Sequence, residues 1–343
     1  MADSINPNII RKKRKLRTAA DYLSGLARGD RFILSEVLTI IENNQVDTHI
    51  IRDEILASIT VNDAAHSLRI GITGSPGAGK STLIEQLGLH YISEGHKVAV
   101  LAIDPSSIRT EGSILGDKTR MPLLSTDTNA YIRPTASATH LGGVSKTTQE
   151  SIAVCEKAGY DVVIVESVGV GQSEVELAEL VDVYGLVLLP GGGDDIQGIK
   201  RGVVEMADFI VINKADQERI QLAKQSRRDF QGSVALFPHE LEGWTPPVLI
   251  ASALEGHGID AIAVTIAEFV GKGKTQGYYE QRRAAQEANY LKNRIHQTIA
   301  NQVQLIYDKM KKADEMALQV EDHRSIFAKI QLIVSQIQSK LEE

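Results

Sequence analysis

The sequence contains few of the residues that crosslink a chain or carry it into a membrane. Cys155 is the single cysteine among 343 residues, so no disulfide can form within the chain. A cysteine-rich zinc or iron–sulfur site is excluded for the same reason, and a reducing compartment is indicated. No apolar run approaches the roughly 18 residues of a membrane helix, and the first residues lack the apolar stretch of a secretory signal. We therefore expect a cytoplasmic protein with no membrane partner.

A large excess of charge of either sign is also missing. The net charge of −7 argues against nucleic acid as the main partner, because phosphate backbones are bound mostly by excess Lys and Arg. Arg11–Arg17 is a local exception, with six cations in seven positions. It is either a solvated tail or a patch for an acidic partner or nucleic acid, and a solvated tail is the commoner case. With 43% hydrophobic and 24% charged residues, the chain has an ordinary globular composition.

Hydrophobic periodicity divides the chain into three parts. Apolar residues between Thr18 and Ile59 recur every three or four positions, which predicts amphipathic helices in a segment of residues 1–66. In residues 67–271, short apolar runs without polar alternation are separated by stretches of helical length. Such runs are typical of strands buried on both faces of a mostly parallel sheet, so an α/β domain is predicted. The predicted strands are Leu68–Thr73, Val98–Ile103, Val162–Val165, Val183–Leu189, Phe209–Ile212 and Val248–Ala251.

The third part, residues 272–343, is predicted to be a helical arm. The segment Gly271–Gly277 contains three glycines and is interpreted as a hinge that leads into this arm. Apolar residues then keep the helical period over Ile295–Met310 and Ile326–Leu341, which predicts two long helices. Their apolar stripe must be buried against the α/β domain or against another copy of the chain, and we favour the second copy.

A complete phosphate-loop motif, G-x-x-x-x-G-K-[ST], follows the first predicted strand and opens a helix. Its glycines let backbone N–H groups turn toward phosphate oxygens, the lysine reaches the terminal phosphates, and the last hydroxyl can bind magnesium. The start of the next helix presents its positive dipole end to the same anion. The predicted nucleotide-binding residues here are Gly74, Ser75, Pro76, Gly77, Ala78, Gly79, Lys80, Ser81 and Thr82.

A second motif, Asn213, Lys214 and Asp216, follows the predicted strand Phe209–Ile212 and looks like the N-K-x-D motif of GTPases. The Asp216 carboxylate can accept hydrogen bonds from guanine N1–H and the exocyclic amine, a pair of donors that adenine does not present. Ser252, Ala253 and Leu254, after the last predicted strand, resemble the loop that backs the guanine ring. The sequence therefore predicts binding of GTP and GDP.

Three acidic residues are candidate magnesium ligands together with Ser81. Asp104 and Glu166 directly follow predicted strands, and Asp117 lies in the loop Gly112–Arg120. A carboxylate in such a place can bind magnesium directly or through water. Because magnesium takes only one or two protein carboxylates, we do not expect all three to bind it. Capping of a helix competes with metal binding at each of them, most strongly at Asp104, which precedes Pro105.

Several long motifs together resemble the MeaB/ArgK group of GTPases. They are Gly74–Ser81, Asp104–Ser107, Gly112–Met121, Leu141–Gly143, Val165–Glu174, Pro190–Lys200 and Asn213–Asp216. The resemblance implies a P-loop G domain of the SIMIBI type, a homodimer joined through the C-terminal helices, and GTP hydrolysis with magnesium. It also implies a chaperone for a cobalamin-dependent acyl-CoA mutase of the methylmalonyl-CoA mutase type, which gates loading of adenosylcobalamin and protects or reactivates the mutase.

The resemblance also assigns roles by position. Asp104, Asp117 and Glu166 would be magnesium and switch residues, and Gly169–Glu174 would be switch II. Leu189–Lys200 would be a further switch that reports the nucleotide state to the mutase, with Lys200 at its charged end. The predicted catalytic residues are Lys80, Glu166, Gln172 and Lys200; Gln172 is proposed to orient the attacking water by analogy with glutamines of other GTPases, and a packed switch residue is an equal alternative.

The chain departs from the family pattern at two places. Ser167 stands where the family usually has threonine, which keeps the hydroxyl, and Pro134–His140 differs from the usual sequence before Leu141.

Three other functions stay open at this point. A small-molecule kinase of the amino-acid-transport type would need an acceptor site and adenine. A metal-insertion GTPase would need clusters of Cys and His ligands. An interaction module would use the nucleotide only as a structural ligand.

Overall fold

The computed structural model describes residues 17–42, 46–60, 67–104, 120–136, 143–167, 172–191, 201–216, 218–237 and 239–312. The N-terminal part is helical, as the periodicity predicts, with α1 over Ala19–Ala27, α2 over Arg31–Glu42 and α3 over Val46–Ala57. Thr18 begins α1 by accepting a hydrogen bond from the Asp21 N–H at 3.2 Å. Most of the basic run lies outside the described residues. No helix in the described part is long and apolar enough to span a bilayer.

The centre of the fold is a seven-stranded sheet with the strand order β3-β2-β4-β1-β5-β6-β7. All of its neighbouring strands pair in parallel. This confirms the predicted α/β fold with its parallel sheet. The strands are β1 Leu68–Gly74, β2 Val98–Asp104, β3 Ala130–Ala136, β4 Val162–Ser167, β5 Val183–Leu188, β6 Phe209–Ile212 and β7 Val248–Ile250.

The edge strand β3 is absent from the sequence prediction. Its residues include Arg133 and Pro134 and do not form an apolar run. Proline cannot donate to a strand ladder and is therefore tolerated mainly at sheet edges, which is where β3 lies, next to β2 alone. The polar Arg133 side chain pairs with Glu42 of α2 and so connects this edge to the N-terminal helices.

Helices cover both faces of the sheet and divide the core in two. One face packs against the N-terminal helices and includes Leu34, Val163 and Leu177; the other includes Leu83, Ile164 and Ile262. The remaining described helices are α4 Lys80–Ser93, α5 Pro122–Thr126, α6 Gly143–Lys157, α7 Gln172–Ala178, α8 Arg201–Glu205, α9 Ile220–Val234, α10 Ile259–Gln276 and α11 Tyr278–Lys312.

Charged side chains at the amino ends of the strands pair with one another. Arg282 Nη1, from the first turn of α11, lies 3.1 Å from Asp208 Oδ2 before β6. Arg69 Nε lies 2.7 Å from Glu156 Oε1. Burial raises the pKa of Asp208 to about 6, and the Arg282 charge opposes that rise. These four side chains at this edge of the sheet are therefore held in two ion pairs.

The chain divides into two compact units, Met1–Arg282 and Arg283–Glu343. The predicted hinge is largely helical, because α10 continues through Gln276 and ends at Gly277. Trp244 packs edge-on against Phe269 of α10, which in turn packs against Tyr278 at the start of α11. The first predicted C-terminal helix lies within α11, and the second lies outside the described residues. The domain boundaries at residues 66 and 271 stay predictions.

Candidate nucleotide-binding site

The phosphate-loop motif connects β1 to α4 at the carboxyl edge of the sheet. Gly74 has a φ of +147°, and a Cβ there would lie 2.0 Å from the Val187 carbonyl oxygen. Gly79 has a φ of +85° and caps the N-terminus of α4. A side chain at either glycine would therefore force the loop out of this path. The strand–loop–helix arrangement predicted from the sequence is present, with Ser75, Pro76 and Gly77 on its accessible side.

Lys80 is folded back over the loop. Its Nζ donates hydrogen bonds to the Gly74 carbonyl at 2.8 Å and the Ser75 carbonyl at 3.2 Å. The residue is only 7% exposed. Burial lowers the pKa of Lys80, and the charges of Glu166 and Glu174 oppose this effect. The ammonium is thus held over the place where the loop would receive phosphate oxygens.

Ser81, in the first turn of α4, meets Glu166 near the end of β4. Ser81 Oγ donates to Glu166 Oε1 at 3.1 Å, with Oε2 at 3.3 Å. A hydroxyl and a carboxylate are hard oxygen ligands of the kind that magnesium prefers. Within the described ranges no group of three or more His, Cys, Asp or Glu residues could hold a metal ion. A magnesium site here would therefore use these two residues together with phosphate oxygens and water.

The other predicted metal and catalytic residues are described only in part. Asp104 ends β2, and Gln172 begins α7, but the described structure includes neither side chain. Asp117 and Lys200 lie outside the described residues. The structure therefore brings Lys80, Ser81 and Glu166 together, and the roles of all seven residues stay predictions.

Asn213 joins the two halves of the candidate site. Its Nδ2 donates to the Ala78 carbonyl of the phosphate loop at 2.8 Å, and its Oδ1 accepts from the Ala253 N–H at 3.1 Å. The side chain is 1% exposed. One amide therefore fixes the phosphate loop, the end of β6 and the loop after β7 relative to one another.

The candidate guanine-reading carboxylate is also held by a neighbour. Ser252 Oγ donates to Asp216 Oδ1 at 2.5 Å. Lys214 has a φ of +58°, a left-handed conformation that a lysine adopts only under constraint from its surroundings. Leu254 is 80% exposed at the end of the same loop. Ser252 therefore holds the Asp216 carboxylate in place through one of its two oxygens, Oδ1.

A cavity of about 800 Å³ lies beside these residues. A cavity of this size is in the range of small-molecule sites. Its lining joins both motifs, with Gly79 and Thr82 on one side and Asn213, Lys214, Asp216, Ala253 and Leu254 on the other. Glu218, Arg219 and Glu255 also line it, and sequence analysis did not find them because no motif marks them.

A sequence model of the family described as Methylmalonyl Co-A mutase-associated GTPase MeaB matches residues 34–307. The match includes every residue of the candidate site within the described structure. It thus covers most of α2, all of α3, the sheet and most of α11.

Relatives match over most of their own length. A protein named putative GTPase from Caulobacter vibrioides is 47% identical over 266 residues, which is 78% of this chain and 81% of that protein. A protein from Mus musculus named methylmalonic aciduria type A homolog, mitochondrial, is 40% identical over 285 residues, 80% of this chain and 69% of that protein. The solved structure named LAO/AO transport system kinase has a TM-score of 0.72 and 32% identity, and the alignment covers 95% of this chain and all of that one.

Proposed function

The chain belongs to the MeaB family of methylmalonyl-CoA mutase-associated GTPases, and from this premise we propose a GTP-dependent chaperone of a cobalamin-dependent acyl-CoA mutase. The enzyme class is that of a P-loop GTPase, as the sequence predicted. The proposed chaperone couples GTP binding and hydrolysis to loading of adenosylcobalamin and to protection or reactivation of the mutase. The mutase would be of the methylmalonyl-CoA mutase type.

The observation that carries the proposal is the link between the phosphate loop and the guanine loop through Asn213. A nucleotide placed in the cavity would meet the backbone amides of the phosphate loop at one end and Asp216 at the other. A carboxylate that accepts two hydrogen bonds from guanine would lose both of them against adenine, which gives strong discrimination between the two bases. This supports GTP and GDP as the ligands.

The mechanism assigned to these residues is mainly positioning and charge stabilisation. Lys80 and the loop amides would stabilise negative charge on the phosphate oxygens. Ser81 and Glu166 would hold magnesium, which when bound neutralises charge on the phosphates. Gln172 is proposed to orient water by analogy with glutamines of other GTPases; it begins α7 and lies within the proposed switch II, Gly169–Glu174.

The proposed partners are the mutase and a second copy of the chain. Leu291, Ile295 and Ile299 of α11 are each about half exposed and recur every four residues. An apolar stripe of this spacing is typical of a helix that packs against another helix. We propose that it contributes to a homodimer through the C-terminal helices. Nucleic acid and membrane are not part of the proposal, and the cytoplasmic location stays a prediction.

The two enzymatic alternatives have less support. A small-molecule kinase is favoured only by the name of one solved relative, and the Asp216–Ser252 arrangement suits guanine rather than adenine. A metal-insertion GTPase would need a cluster of Cys and His ligands, but the single cysteine, Cys155, is buried. Burial raises the pKa of that thiol strongly, which suits packing rather than metal binding.

The test is nucleotide hydrolysis by the purified protein with GTP and ATP in parallel, alone and with a cobalamin-dependent acyl-CoA mutase from the same source. We expect turnover of GTP only, and an increase when the mutase is added. ATP turnover would contradict the guanine assignment. GTP turnover that no candidate mutase changes would contradict the chaperone role while leaving the GTPase intact.

A further inference from the structure

Arg219 lies next to Asp216, the candidate guanine-reading residue, at the start of α9. Its N–H donates to the Asp216 carbonyl at 2.7 Å, which closes a turn after β6. Its own carbonyl accepts from the Ala223 N–H at 2.9 Å in the first turn of the helix. Both main-chain groups of Arg219 are thus engaged, so its side chain starts from a fixed place beside Asp216.

The guanidinium of Arg219 is available to a ligand. Arg219 is exposed and lines the cavity together with Asp216. Within the described part of the chain, the guanidinium forms no ion pair and donates no hydrogen bond. The Asp216 carboxylate accepts from Ser252 instead. Two opposite charges therefore line one cavity without neutralising each other.

Guanine needs hydrogen-bond donors from the protein as well as acceptors. Its N1–H and exocyclic amine are donors, whereas O6 and N7 are acceptors on the adjoining edge of the base. Two donors near the end of β6 are engaged within the protein. The Asn213 amide donates to the Ala78 carbonyl, and the Ala253 N–H donates to Asn213 Oδ1. These two groups therefore provide no donor for the acceptor edge of the base.

Lys214, the other cation that lines the cavity within the described structure, extends toward the phosphate loop. A Cβ built on Gly79 would lie 3.5 Å from Lys214 Cε, so the end of the lysine side chain is next to that loop. Arg219 follows the turn that begins at Asp216 and is therefore the cation at the base end of the cavity. A guanidinium is a planar fork of N–H donors, which matches two neighbouring acceptors.

We propose that Arg219 is a specificity-determining residue that donates to O6 and N7 of guanine, while Asp216 accepts from the N1–H and the exocyclic amine. The geometry of a guanidinium suits this pair of acceptors. Adenine presents an amine donor where guanine presents O6, so the same fork disfavours adenine. The guanine selectivity then has two sources, one at each edge of the base. The inference deepens the proposed nucleotide site and rests on it, but not on the mutase partner.

Arg219→Gln tests the proposal with three nucleotides: GDP; IDP, which lacks the exocyclic amine; and 7-deaza-GDP, in which a C–H group replaces N7. We expect Arg219→Gln to weaken GDP and IDP equally, about tenfold, because both keep O6 and N7. The loss for 7-deaza-GDP should be only about threefold, since one of the two acceptors is already missing. Isothermal titration calorimetry measures the affinities. Equal losses for all three nucleotides, as a ribose contact or a structural role would give, overturn the proposal, and so does unchanged binding.

Two further variants separate the fork of donors from the charge. Arg219→Lys keeps the positive charge but removes the planar fork, so it should bind GDP about as weakly as Arg219→Gln. Full GDP affinity in Arg219→Lys would show a general effect of charge and would overturn the proposal. Arg228→Gln removes the same charge from an exposed position of α9 outside the cavity lining and should leave all three affinities unchanged. A loss in Arg228→Gln equal to that in Arg219→Gln would also overturn it.

Asp216→Ala distinguishes the two edges of the base. It should weaken GDP more than IDP, because IDP has already lost one of the two donors that the carboxylate accepts, whereas Arg219→Gln weakens both equally. Wild-type protein that binds no GDP would contradict the proposed nucleotide site itself. Wild-type protein that binds GDP only as weakly as Arg219→Gln would contradict the role of Arg219 alone.

Discussion

The two edges of the parallel sheet both bury charged side chains, but they use them differently. At the amino edge, where the strands begin, charged side chains form ion pairs with each other: Arg282 with Asp208, and Arg69 with Glu156. At the carboxyl edge Lys80 donates to main-chain carbonyls, and Glu166 accepts from the Ser81 hydroxyl. Charges paired with charges stabilise a fixed arrangement. Charges paired with neutral groups keep most of their attraction for a ligand, which is what a phosphate and metal site requires.

Substitution of Lys80 should give the largest effect and test the carboxyl edge. We expect Lys80→Ala to lower GTP turnover about 1000-fold, because the principal cation facing the phosphates is lost. Thermal stability should change little, since the hydrogen bonds that Lys80 donates go to two main-chain carbonyls. Phosphate-release assays and thermal melts on the same preparation measure both. Lys224→Ala, at an exposed position of α9, is the control, and near-normal turnover of Lys80→Ala would exclude the phosphate role.

Substitution of Asp208 tests the amino edge. We expect the reverse of the result for Lys80→Ala, with a large loss of stability and little change in GTP turnover. Asp208→Ala leaves Arg282 buried without its partner, and we expect a loss of about 3–5 kcal/mol in the free energy of unfolding. GTP turnover per folded molecule should stay close to normal. Urea unfolding measures the loss. Asp161→Ala removes a carboxylate from a pair of half-exposed residues at the same edge and should cost less than about 1 kcal/mol. Equal losses would mean that burial does not distinguish these pairs.

Substitution of Asp216 tests recognition of the base at the carboxyl edge, separately from the phosphate role of Lys80. We expect Asp216→Ala to lower GTP affinity about 100-fold and to leave ATP affinity unchanged, because the carboxylate recognises only guanine. Competition between GTP and ATP for a fluorescent nucleotide measures the selectivity. Asp229→Ala, exposed on α9, should have no effect. An equal loss for both nucleotides would show that Asp216 supports the loop rather than reads the base.

The smallest effect that we expect is in the pH dependence of the free energy of unfolding. It should reflect the amino edge of the sheet through Asp208. Burial raises the pKa of Asp208 from 3.8 to about 6, so the folded protein holds a proton that the unfolded chain releases between these values. The stability contributed by this proton is present below about pH 4 and is lost as the pH rises through about 6. We expect a fall on the order of 2 kcal/mol in urea unfolding over this range, and a flatter profile for Asp208→Asn. Identical profiles would refute the assignment.

Sequence analysis predicted the parts of the fold and site that depend on local chemistry. The phosphate loop needs glycines, a lysine and a hydroxyl at fixed spacing, so Gly74–Ser81 could be read directly and lies where expected. The five central strands are mostly apolar because both of their faces are buried, and the short edge strand β7 is also an apolar run. The edge strand β3 was missed because it has a neighbouring strand on one side only and tolerates Arg133 and Pro134.

Features that depend on packing between distant segments could not be predicted. Asn213 and Ala78 are 135 positions apart, and no pattern in the sequence indicates that their loops share a hydrogen bond. The burial of Glu174 depends on which side of α7 faces β1. The glycines at 271 and 273 were interpreted as a hinge, but α10 is helical there because Phe269 and Ile266 bury its preceding turns.

Trp244 gives the amino edge a property that the rest of the chain lacks. It is the sole tryptophan, and its indole N–H donates to the Asp208 carbonyl at 2.9 Å while its ring contacts Phe269. The tryptophan emission of the protein therefore comes from one indole whose surroundings are the Asp208–Arg282 pair and the start of α11. Excitation at a single wavelength observes this junction without any label, so a spectral change on adding GDP would be a direct optical signal that the two edges of the sheet communicate.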